Sequence, residues 1–238
     1  MKSLASNSSA TASFSWEAAV KRAFDVALAG TGLLLSAPLW GLIALAIVLD
    51  DGLPVFFRQN RWGKGGRHFP ALKFRTMRVG SENQRSIQAT AEDPRITRVG
   101  RILRATALDE LPQLWNIFRG DMSFVGPRAL PINEIQSNSH EGNLPDEEIP
   151  GFRERLAVTP GLTGIAQIYA DRDIRRAQKF RYDLLYIRRR SFLLDLRLIV
   201  MSFYISFLGK WEARGGKISA RKKAAGENQT TKTSENWS

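Results

Sequence analysis

The order of hydrophobic and polar positions divides the chain into a long apolar stretch, a mixed central region and two polar ends. Residues from Val26 to Leu49 carry no charge, and a helix of that length can cross a hydrocarbon core of about 30 Å. We therefore predict a membrane helix within residues 18–50. The composition of residues 1–17 and 212–238 predicts disordered tails, which leaves residues 51–211 as the folded domain.

The apolar stretch is interrupted by Pro38, which removes a backbone hydrogen bond from a helix interior. Ser36, two residues earlier, is expected to bond a freed carbonyl. Basic residues flank the stretch on both sides, whereas a spanning helix carries its Lys and Arg mainly on the cytoplasmic side. The pattern favours a re-entrant helix bent at Ser36–Pro38, and a Pro-kinked spanning helix is the alternative. Asp25, which is costly in lipid, is expected to pair with a nearby Lys or Arg.

The central region after the apolar stretch has the pattern of a small β-hairpin. Residues 54–57 and 70–77 are β-like, and the glycine-rich segment between them has the composition of a turn. Its basic side chains suit either lipid head groups or a phosphorylated ligand, and spacing alone does not separate the two. Near the other end of the domain, residues 196–208 are apolar but too short to span a bilayer. They predict a helix lying in the membrane interface, with Arg197 and Lys210 at its ends.

The stretch "ATALDELPQLWNIFRG" places two acids, Asp109 and Glu110, directly ahead of Leu111-Pro112. Proline is tolerated only in the first turn of a helix, so the pattern predicts a helix from about Leu108 that stops at Gly120. Both acids would then lie at the positive end of the helix dipole, which also attracts phosphate. The structural alternative is that first-turn acids only complement the dipole.

Composition narrows the chemistry that this pair can take part in. The chain has 35 Lys and Arg against 23 Asp and Glu, a formal charge of +12, which indicates an anionic partner such as nucleic acid, phospholipid or a phosphorylated substrate. It has no cysteine and two histidines, which excludes disulfides, thiol catalysis, cysteine-based zinc sites and histidine-rich metal clusters. Carboxylates and arginines remain as the groups available for chemistry.

Three charged neighbours favour phosphoryl chemistry for the paired acids. Arg104 lies upstream, Asp121 lies downstream, and the "FVGPRAL" turn presents Arg128. A carboxylate can attack phosphorus to form a covalent intermediate when arginine and a divalent cation neutralise the charges. Mg²⁺ is the expected cation, because carboxylate and phosphate oxygens are hard ligands.

Six motifs, in this order, resemble those of a known family. They are "KRAFDVALAGTGLLLSAPLW", "FFRQNRWGKGGRHF", "LKFRTM", "ALDELPQLWNIFRGDMSFVGPR", "TPGLTGIAQIY" and "YDLLYIRRRSFLLDLRLI". The chain resembles bacterial sugar transferases over about residues 18–208. These are the monotopic, polyprenol-phosphate-dependent phosphoglycosyl transferases, and the length is similar to that of the small members that consist of little more than the catalytic domain.

The resemblance implies an α+β, mainly helical fold. It combines a re-entrant membrane helix with a cytoplasmic catalytic domain that contains a small β-hairpin and interfacial amphipathic helices. It also implies transfer of a sugar 1-phosphate from a UDP-sugar to undecaprenyl phosphate with release of UMP, at the bacterial inner membrane. The product would start a surface polysaccharide or glycoconjugate. The expected partners are UDP-sugar, undecaprenyl phosphate and the membrane, with a possible homo-oligomer and no nucleic acid.

By the same resemblance, Asp109 is the nucleophile and a Mg²⁺ ligand, and Glu110 is its acid/base partner. The residues implied in substrate binding are Arg104, Lys73, Arg75, Arg128 and Pro127. Lys73 would position the carboxylates, Arg104 would contact phosphate, and Arg128 would face the nucleotide.

Three departures from the family pattern affect these expectations. The usual Ser-Pro pair at the membrane break is Ser36-Ala37-Pro38, the usual Pro-Arg-Pro is Pro127-Arg128-Ala129, and a usual Gly-Arg pair is Ala170-Asp171. Since the last lies where sugar preference is expected to be set, no sugar is assigned. The alternative functions are a membrane-anchored protein that binds anionic lipid or nucleic acid, and an inactive scaffold.

Overall fold

The computed structural model describes residues 5–81, 93–132, 145–170 and 174–207. It is mainly helical with a small β-hairpin, as the sequence predicts. The helices are α1 (Ala5–Asp51), α2 (Arg98–Ala105), α3 (Gln113–Arg119), α4 (Phe152–Leu156), α5 (Ile165–Tyr169), α6 (Arg176–Arg189) and α7 (Phe192–Phe207). The strands are β1 (Phe56–Trp62), β2 (His68–Phe74), β3 (Ser123–Val125) and β4 (Gly161–Thr163), and 3₁₀ turns cover Lys64–Gly66, Leu108–Glu110 and Asp146–Glu148.

Strands β1 and β2 form the predicted hairpin. They pair antiparallel, with Phe56 opposite Phe74 and Trp62 opposite His68. The turn between them contains Gly65 and Gly66 at φ 69° and 76°, values that glycine adopts without the steric cost of a Cβ. The first strand begins at Phe56 rather than at Pro54.

A second pairing, which the sequence did not predict, joins β3 to β4 in parallel. Ser123 lies opposite Gly161, and Val125 lies opposite Thr163. Each strand has only three residues, and β3 is buried throughout. The pairing brings "SFVGPR" against "TPGLT", two segments more than 30 positions apart in the chain, and the main hydrophobic core packs around it.

Helix α1 runs through Pro38 as one helical element. The part from Trp16 to Asp51 is long and apolar enough to cross a membrane, by length and composition. The Ser36 hydroxyl donates to the Gly32 carbonyl at 2.6 Å and accepts from the Trp40 ring N–H at 3.0 Å. It therefore does not bond the carbonyl that Pro38 frees, which is that of Leu34, so the role expected for Ser36 is wrong. The bend at Ser36–Pro38 stays a prediction.

Both ends of the apolar part of α1 contact the same folded domain. Near its start, the Arg22 guanidinium donates to the carbonyls of Ile117 and Phe118 at 2.6 and 2.8 Å. Near its end, the Asp50 carboxylate accepts from the Val99 N–H at 2.9 Å. Ile43 and Ile47 pack in a cluster with Phe74 and Leu103. The large side chains exposed between these two attachments are Leu34, Leu35, Leu39, Leu42, Leu45, Val48 and Leu49.

Asp25 and Lys21 anchor the first half of α1 in a buried polar network. The Asp25 carboxylate accepts from the Phe124 N–H at 3.1 Å and also hydrogen-bonds to Ser123. Lys21 lies close enough for its charge to act on Asp25, but its ion pair is with Asp195 of α7. The division into two tails, a membrane segment and a catalytic domain stays a prediction, and residues 212–238 lie outside the described residues.

Candidate active site

The two acids lie in a 3₁₀ turn, Leu108–Glu110, that precedes α3. Helix α3 begins at Gln113 with Pro112 as its N-cap residue, so the helix start predicted near Leu108 is wrong. Pro112 has no N–H to donate to the Leu108 carbonyl, so the residues before it form a 3₁₀ turn instead of α-helix, and Ala107, with a left-handed φ of 57°, separates that turn from α2. Positive φ is uncommon for a residue with a Cβ, and such strained positions cluster at functional sites. The predicted stop at Gly120 is confirmed by its φ of 100°.

Lys73 of β2 joins the two carboxylates. Its ammonium lies 2.5 Å from Oε1 of Glu110 and 3.5 Å from Oδ2 of Asp109. The three side chains are between 12% and 24% exposed, so the cluster is mostly buried and yet accessible to a ligand. The structure therefore brings together Asp109, Glu110 and Lys73, which the sequence assigned to one site.

The site gives its two carboxyl groups opposite pKa shifts. Burial raises the pKa of Asp109, and the nearby Glu110 charge adds to the rise, while Lys73 and Arg104 oppose it. Burial would also raise the pKa of Glu110, but the charges of Lys73, Arg128 and Arg61 outweigh it and lower that pKa to about 2. Two adjacent acids with pKa values moved apart in this way are typical of carboxylates that have different tasks.

Asn116 of α3 fixes the strand that carries Lys73. Its side-chain amide donates to the Pro70 carbonyl at 2.9 Å, and its side-chain oxygen accepts from the Leu72 N–H at 2.9 Å. The amide therefore binds the edge of β2 as a neighbouring strand would. Because Lys73 follows Leu72 directly, this contact sets the position of the lysine relative to the acids in the turn before α3.

The other predicted binding residues fall into two groups. Arg104 and Arg128 act on the pKa values of the two acids, whereas Arg75 holds the end of α1. Arg104, in the last turn of α2, lies close enough for its charge to lower the pKa of Asp109. Arg75 is buried, and its guanidinium donates to the carbonyls of Asp51 and Gly52 at 2.9 and 2.7 Å. Arg75 thus attaches the end of α1 to β2, and its role in substrate binding stays a prediction.

Arg128 and Pro127 lie in the turn that follows β3. The Arg128 side chain is exposed, and its charge is among those that lower the pKa of Glu110. Pro127 is buried and lines a small cleft together with Arg128, Trp62 and Pro160. A Cβ on Gly161 would lie 2.0 Å from the Gly126 nitrogen. Only glycine therefore permits this approach of the two segments, which holds Arg128 near the acids.

Two further residues change the predicted composition of the site. Asp121 hydrogen-bonds to Asn116 at 3.2 Å and pairs with Arg119 at 3.7 Å, so these contacts place it at the far end of α3. Arg61 of β1 is buried, donates to the Ala129 carbonyl at 3.1 Å and acts on the pKa of Glu110. Arg61 is absent from the residues predicted for the site, since an arginine in a hairpin gives no local signal that it is buried.

The donor groups at the acids fit a magnesium ion. Among the described residues, no group of three or more His, Cys, Asp or Glu could hold a metal ion by itself. Mg²⁺ is commonly held by one or two carboxylates together with substrate phosphates and water. Asp109 and Glu110 supply such carboxylates next to Arg104 and Arg128, so the set fits an ion whose coordination a bound phosphate completes.

Paired carboxylates surrounded by lysine and arginine, on a domain that packs against a long apolar helix, are an arrangement suited to a protein that acts on phosphoryl groups. Comparison with known proteins agrees with this class. Residues 16–209 match the model of the bacterial sugar transferase family. The chain belongs to the bacterial sugar transferase family, which confirms the resemblance found in the sequence.

Several curated relatives are about 40% identical to the chain. The exopolysaccharide production protein PSS of Rhizobium leguminosarum bv. phaseoli is 40% identical over 186 residues, which cover 76% of this chain and 91% of that protein. The UDP-glucose:undecaprenyl-phosphate glucose-1-phosphate transferase of Klebsiella pneumoniae is 39% identical over 195 residues, 80% of this chain and 40% of that protein. The enzyme of the same name from Xanthomonas campestris pv. campestris is 44% identical over 184 residues, 75% of this chain and 37% of that protein. The chain thus matches less than half of the length of these two transferases.

Proposed function

We propose that this protein transfers a sugar 1-phosphate from a UDP-sugar to undecaprenyl phosphate, with a covalent phosphosugar on Asp109 as the intermediate. The observation that carries the proposal is the Lys73-bridged pair of Asp109 and Glu110. Arginine charges surround this pair, and the domain that holds it packs on an apolar helix. The names of the transferase relatives support the same donor and acceptor.

The proposed first step uses the carboxylate of Asp109 as a nucleophile on the β-phosphorus of the donor. A carboxylate–phosphorus bond forms as the bond to the bridging oxygen breaks, and UMP leaves with that oxygen and its electron pair. In the second step, an oxygen of undecaprenyl phosphate attacks the same phosphorus and displaces Asp109. Because the soluble product leaves before the lipid arrives, one site can serve both substrates in turn.

The surrounding cations would neutralise charge that the donor brings. Two phosphates beside two carboxylates are favourable only when positive groups lie close, as Lys73, Arg104 and Arg128 do. Asp109, with Glu110 beside it, would hold Mg²⁺, and the chemistry that the ion supplies when bound is neutralisation of the diphosphate. Nucleophilic attack needs Asp109 ionised, and Lys73 favours that form.

Glu110 has a more conditional part in this scheme. With a pKa lowered to about 2 by its partners, it is ionised near neutral pH and is a weak base. In the resting site it serves as the counter-ion of Lys73. We assign it the acid/base role only after donor phosphate draws the ammonium of Lys73 away, because loss of that partner raises its pKa.

For the membrane, we propose that α1 enters and returns on the cytoplasmic side. Support comes from the contacts of Arg22 and Asp50, which tie both ends of the apolar part to one domain while the leucines between them stay exposed. Helix α7 would lie in the interface, since Leu193, Val200, Phe203 and Tyr204 expose apolar surface along it. A spanning helix would place its two ends on opposite faces of the bilayer.

The catalytic proposal is tested by incubating the full-length protein with UDP-sugars in the absence of lipid. The panel includes UDP-glucose and UDP-N-acetylgalactosamine, the donors named in relatives. We expect UMP release equal to the amount of enzyme, and a matching mass increase on the peptide that contains Asp109. UMP release that strictly requires undecaprenyl phosphate, without an adduct, would point to direct transfer in a ternary complex.

The cation is tested in the same assay by chelation. Excess EDTA should abolish UMP release, and added Mg²⁺ should restore it. Full activity in EDTA would remove Mg²⁺ from the proposal. Binding of UDP in the presence and absence of Mg²⁺, measured by calorimetry, separates a role in substrate binding from a role in structure.

The topology is tested by cysteine labelling, for which a chain without cysteine provides a clean background. Single variants Ser15→Cys and Asn60→Cys flank the apolar part of α1. In sealed inverted vesicles, an impermeant maleimide should label both positions, because both face the cytoplasm. Labelling of one position in inverted vesicles and of the other in right-side-out vesicles would establish a spanning helix.

A further inference from the structure

The backbone of the turn Pro127–Ala129 is held by buried partners at every polar group for which the structure gives a contact. Pro127 O accepts from Gly161 N at 2.8 Å, Ala129 O accepts from Arg61 Nη1 at 3.1 Å, Arg128 O accepts from Arg155 Nη2 at 2.7 Å, and Arg128 N–H donates to the Asp183 carboxylate. Arg128 is thus held at both its N–H and its carbonyl. In contrast, its side chain is exposed.

The two groups that hold Arg128 form a buried ion pair. Nε of Arg155, on α4, lies 2.8 Å from Oδ2 of Asp183, on α6, and the two side chains are 3% and 2% exposed. The Arg155 guanidinium also lies over the ring of Phe180, 4.2 Å from its centre. These contacts engage one face of the guanidinium and two of its nitrogens, so its orientation is fixed.

Such a pair is poorly explained by stability alone. Removing two charges from water is costly, and a well-packed apolar pair of similar volume is often as stable or more stable. The pair is better explained by the geometry that it imposes. A backbone unit fixed at its N–H and its carbonyl fixes the Cα–Cβ direction of its side chain, and a displacement of about 1 Å can lower the rate greatly.

We propose that Arg155 and Asp183 are positioning residues for the donor: they orient the Arg128 backbone so that its guanidinium meets the diphosphate of the nucleotide sugar. The inference rests on the proposed function, in which Arg128 contacts the donor. Arg155 and Asp183 touch no reacting atom in this scheme, and they act only through Arg128.

The proposal predicts a specific kinetic signature. Arg155→Lys keeps the positive charge but loses the fork that binds Asp183 and the Arg128 carbonyl together. We expect the KM for UDP-glucose to rise about tenfold in this variant, the scale of one charge-assisted contact. The KM for undecaprenyl phosphate should stay within about twofold, since that substrate binds after the nucleotide has left.

A double-mutant cycle tests whether the effect passes through Arg128. In full-length protein, Arg155→Lys, Asp183→Asn, Arg128→Ala and each pairwise combination with Arg128→Ala are assayed for kcat/KM of UMP release. If Arg155 and Asp183 act through Arg128, their substitutions have less than about a twofold effect once Arg128 is alanine. Equal effects in both backgrounds, or no effect of Arg128→Ala alone, would overturn the proposal.

The chain offers a matched control in Arg176 and Asp146. This second buried Arg–Asp pair also joins α6 to a neighbouring element, the 3₁₀ turn Asp146–Glu148. Arg176→Lys keeps the charge that acts on Arg155, so it should lower the melting temperature about as much as Arg155→Lys but leave the KM for UDP-glucose unchanged. If Arg155→Lys and Arg176→Lys change the melting temperature and the KM for UDP-glucose alike, the role of Arg155 is structural and the inference is wrong.

Calorimetric binding of UDP-glucose keeps this inference separate from the proposed function. If the wild type binds UDP-glucose but releases no UMP from any UDP-sugar, the proposed function fails, and the same double-mutant cycle, measured as the Kd for UDP-glucose, decides the positioning role. If Arg155→Lys does not fold, the milder Asp183→Asn carries the cycle. Wild-type protein that neither binds nor turns over any UDP-sugar overturns both proposals.

Discussion

The two halves of the candidate site are built in different ways. The carboxylate half consists of Asp109, Glu110 and Lys73, whose charges compensate one another within a few ångströms. The arginine half consists of Arg128, whose side chain is exposed while its backbone is held by buried residues from other elements. The first half is tuned through electrostatics and the second through backbone geometry. Substitutions in the two halves should therefore change different kinetic constants.

The largest effect is expected at the nucleophile. Asp109→Asn preserves shape but removes the attacking charge, and we expect kcat to fall about a thousandfold or more. The melting temperature should stay close to that of the wild type, because the amide fits the same turn. UMP release and thermal unfolding measure the two quantities. A folded variant with more than a tenth of wild-type kcat would exclude Asp109 as the nucleophile.

Removal of the bridging charge should have the next largest effect and should also alter the pH profile. Lys73→Met is expected to lower kcat/KM about a hundredfold, the scale for loss of one electrostatic contact in a preorganised site. The pKa of Asp109 is raised by burial and held down by Lys73. Activity requires the ionised form, so it is lost as pH falls through this pKa, and the acid limb should move to higher pH in the variant.

Glu110 should make the stability of the fold depend on pH in the same direction, so that stability also falls as pH falls. Because its folded pKa is lowered to about 2 from an ordinary value of 4.5, it stabilises the fold above pH 4.5, and this contribution is lost as pH falls toward 2. Lys73→Met should reduce that pH dependence. Urea unfolding at several pH values measures this dependence. If both the acid limb of the activity profile and the stability curve of Lys73→Met match those of the wild type, Lys73 is not coupled to the two acids as assigned.

The arginine half should give a smaller effect of a different kind. Arg128→Ala is expected to raise the KM for the donor about ten- to a hundredfold, the equivalent of one hydrogen bond to a charged group, with a lesser change in kcat. Arg119→Ala, at an exposed arginine that pairs with Asp121 on the far end of α3, is the control for loss of charge. A kcat effect at Arg128 that equals its KM effect would place it in the transition state rather than in donor binding.

The smallest effect is expected at the turn that carries the acids. Ala107 has a φ of 57°, which glycine adopts without strain. Ala107→Gly should therefore change the free energy of unfolding by no more than about 1 kcal/mol and leave kcat nearly unchanged. Ala107→Val should be clearly destabilising, because β-branched residues rarely adopt positive φ. Chemical denaturation of the two variants checks this difference, and equal stability would show that the turn relaxes.

The sequence by itself determined the features that depend on local pattern or on residue type. The uncharged run predicted the long apolar helix, alternation around a glycine-rich turn predicted the hairpin, and Gly120 predicted the end of α3. The adjacency of Asp109 and Glu110, with no cysteine and few histidines, restricted the chemistry to carboxylates and arginines. These inferences succeed because helix and hairpin signals act over a few residues.

Only the tertiary structure decided which distant groups meet. It paired β3 with β4, tied Arg75 to the end of α1, and placed Arg61 close enough for its charge to act on Glu110. It also placed a 3₁₀ turn after the left-handed Ala107 and began α3 only at Gln113, and such a backbone conformation of alanine cannot be read from propensity. Burial, long-range hydrogen bonds and the resulting pKa shifts depend on how elements pack, and positions separated by tens of residues carry no local signal of that packing.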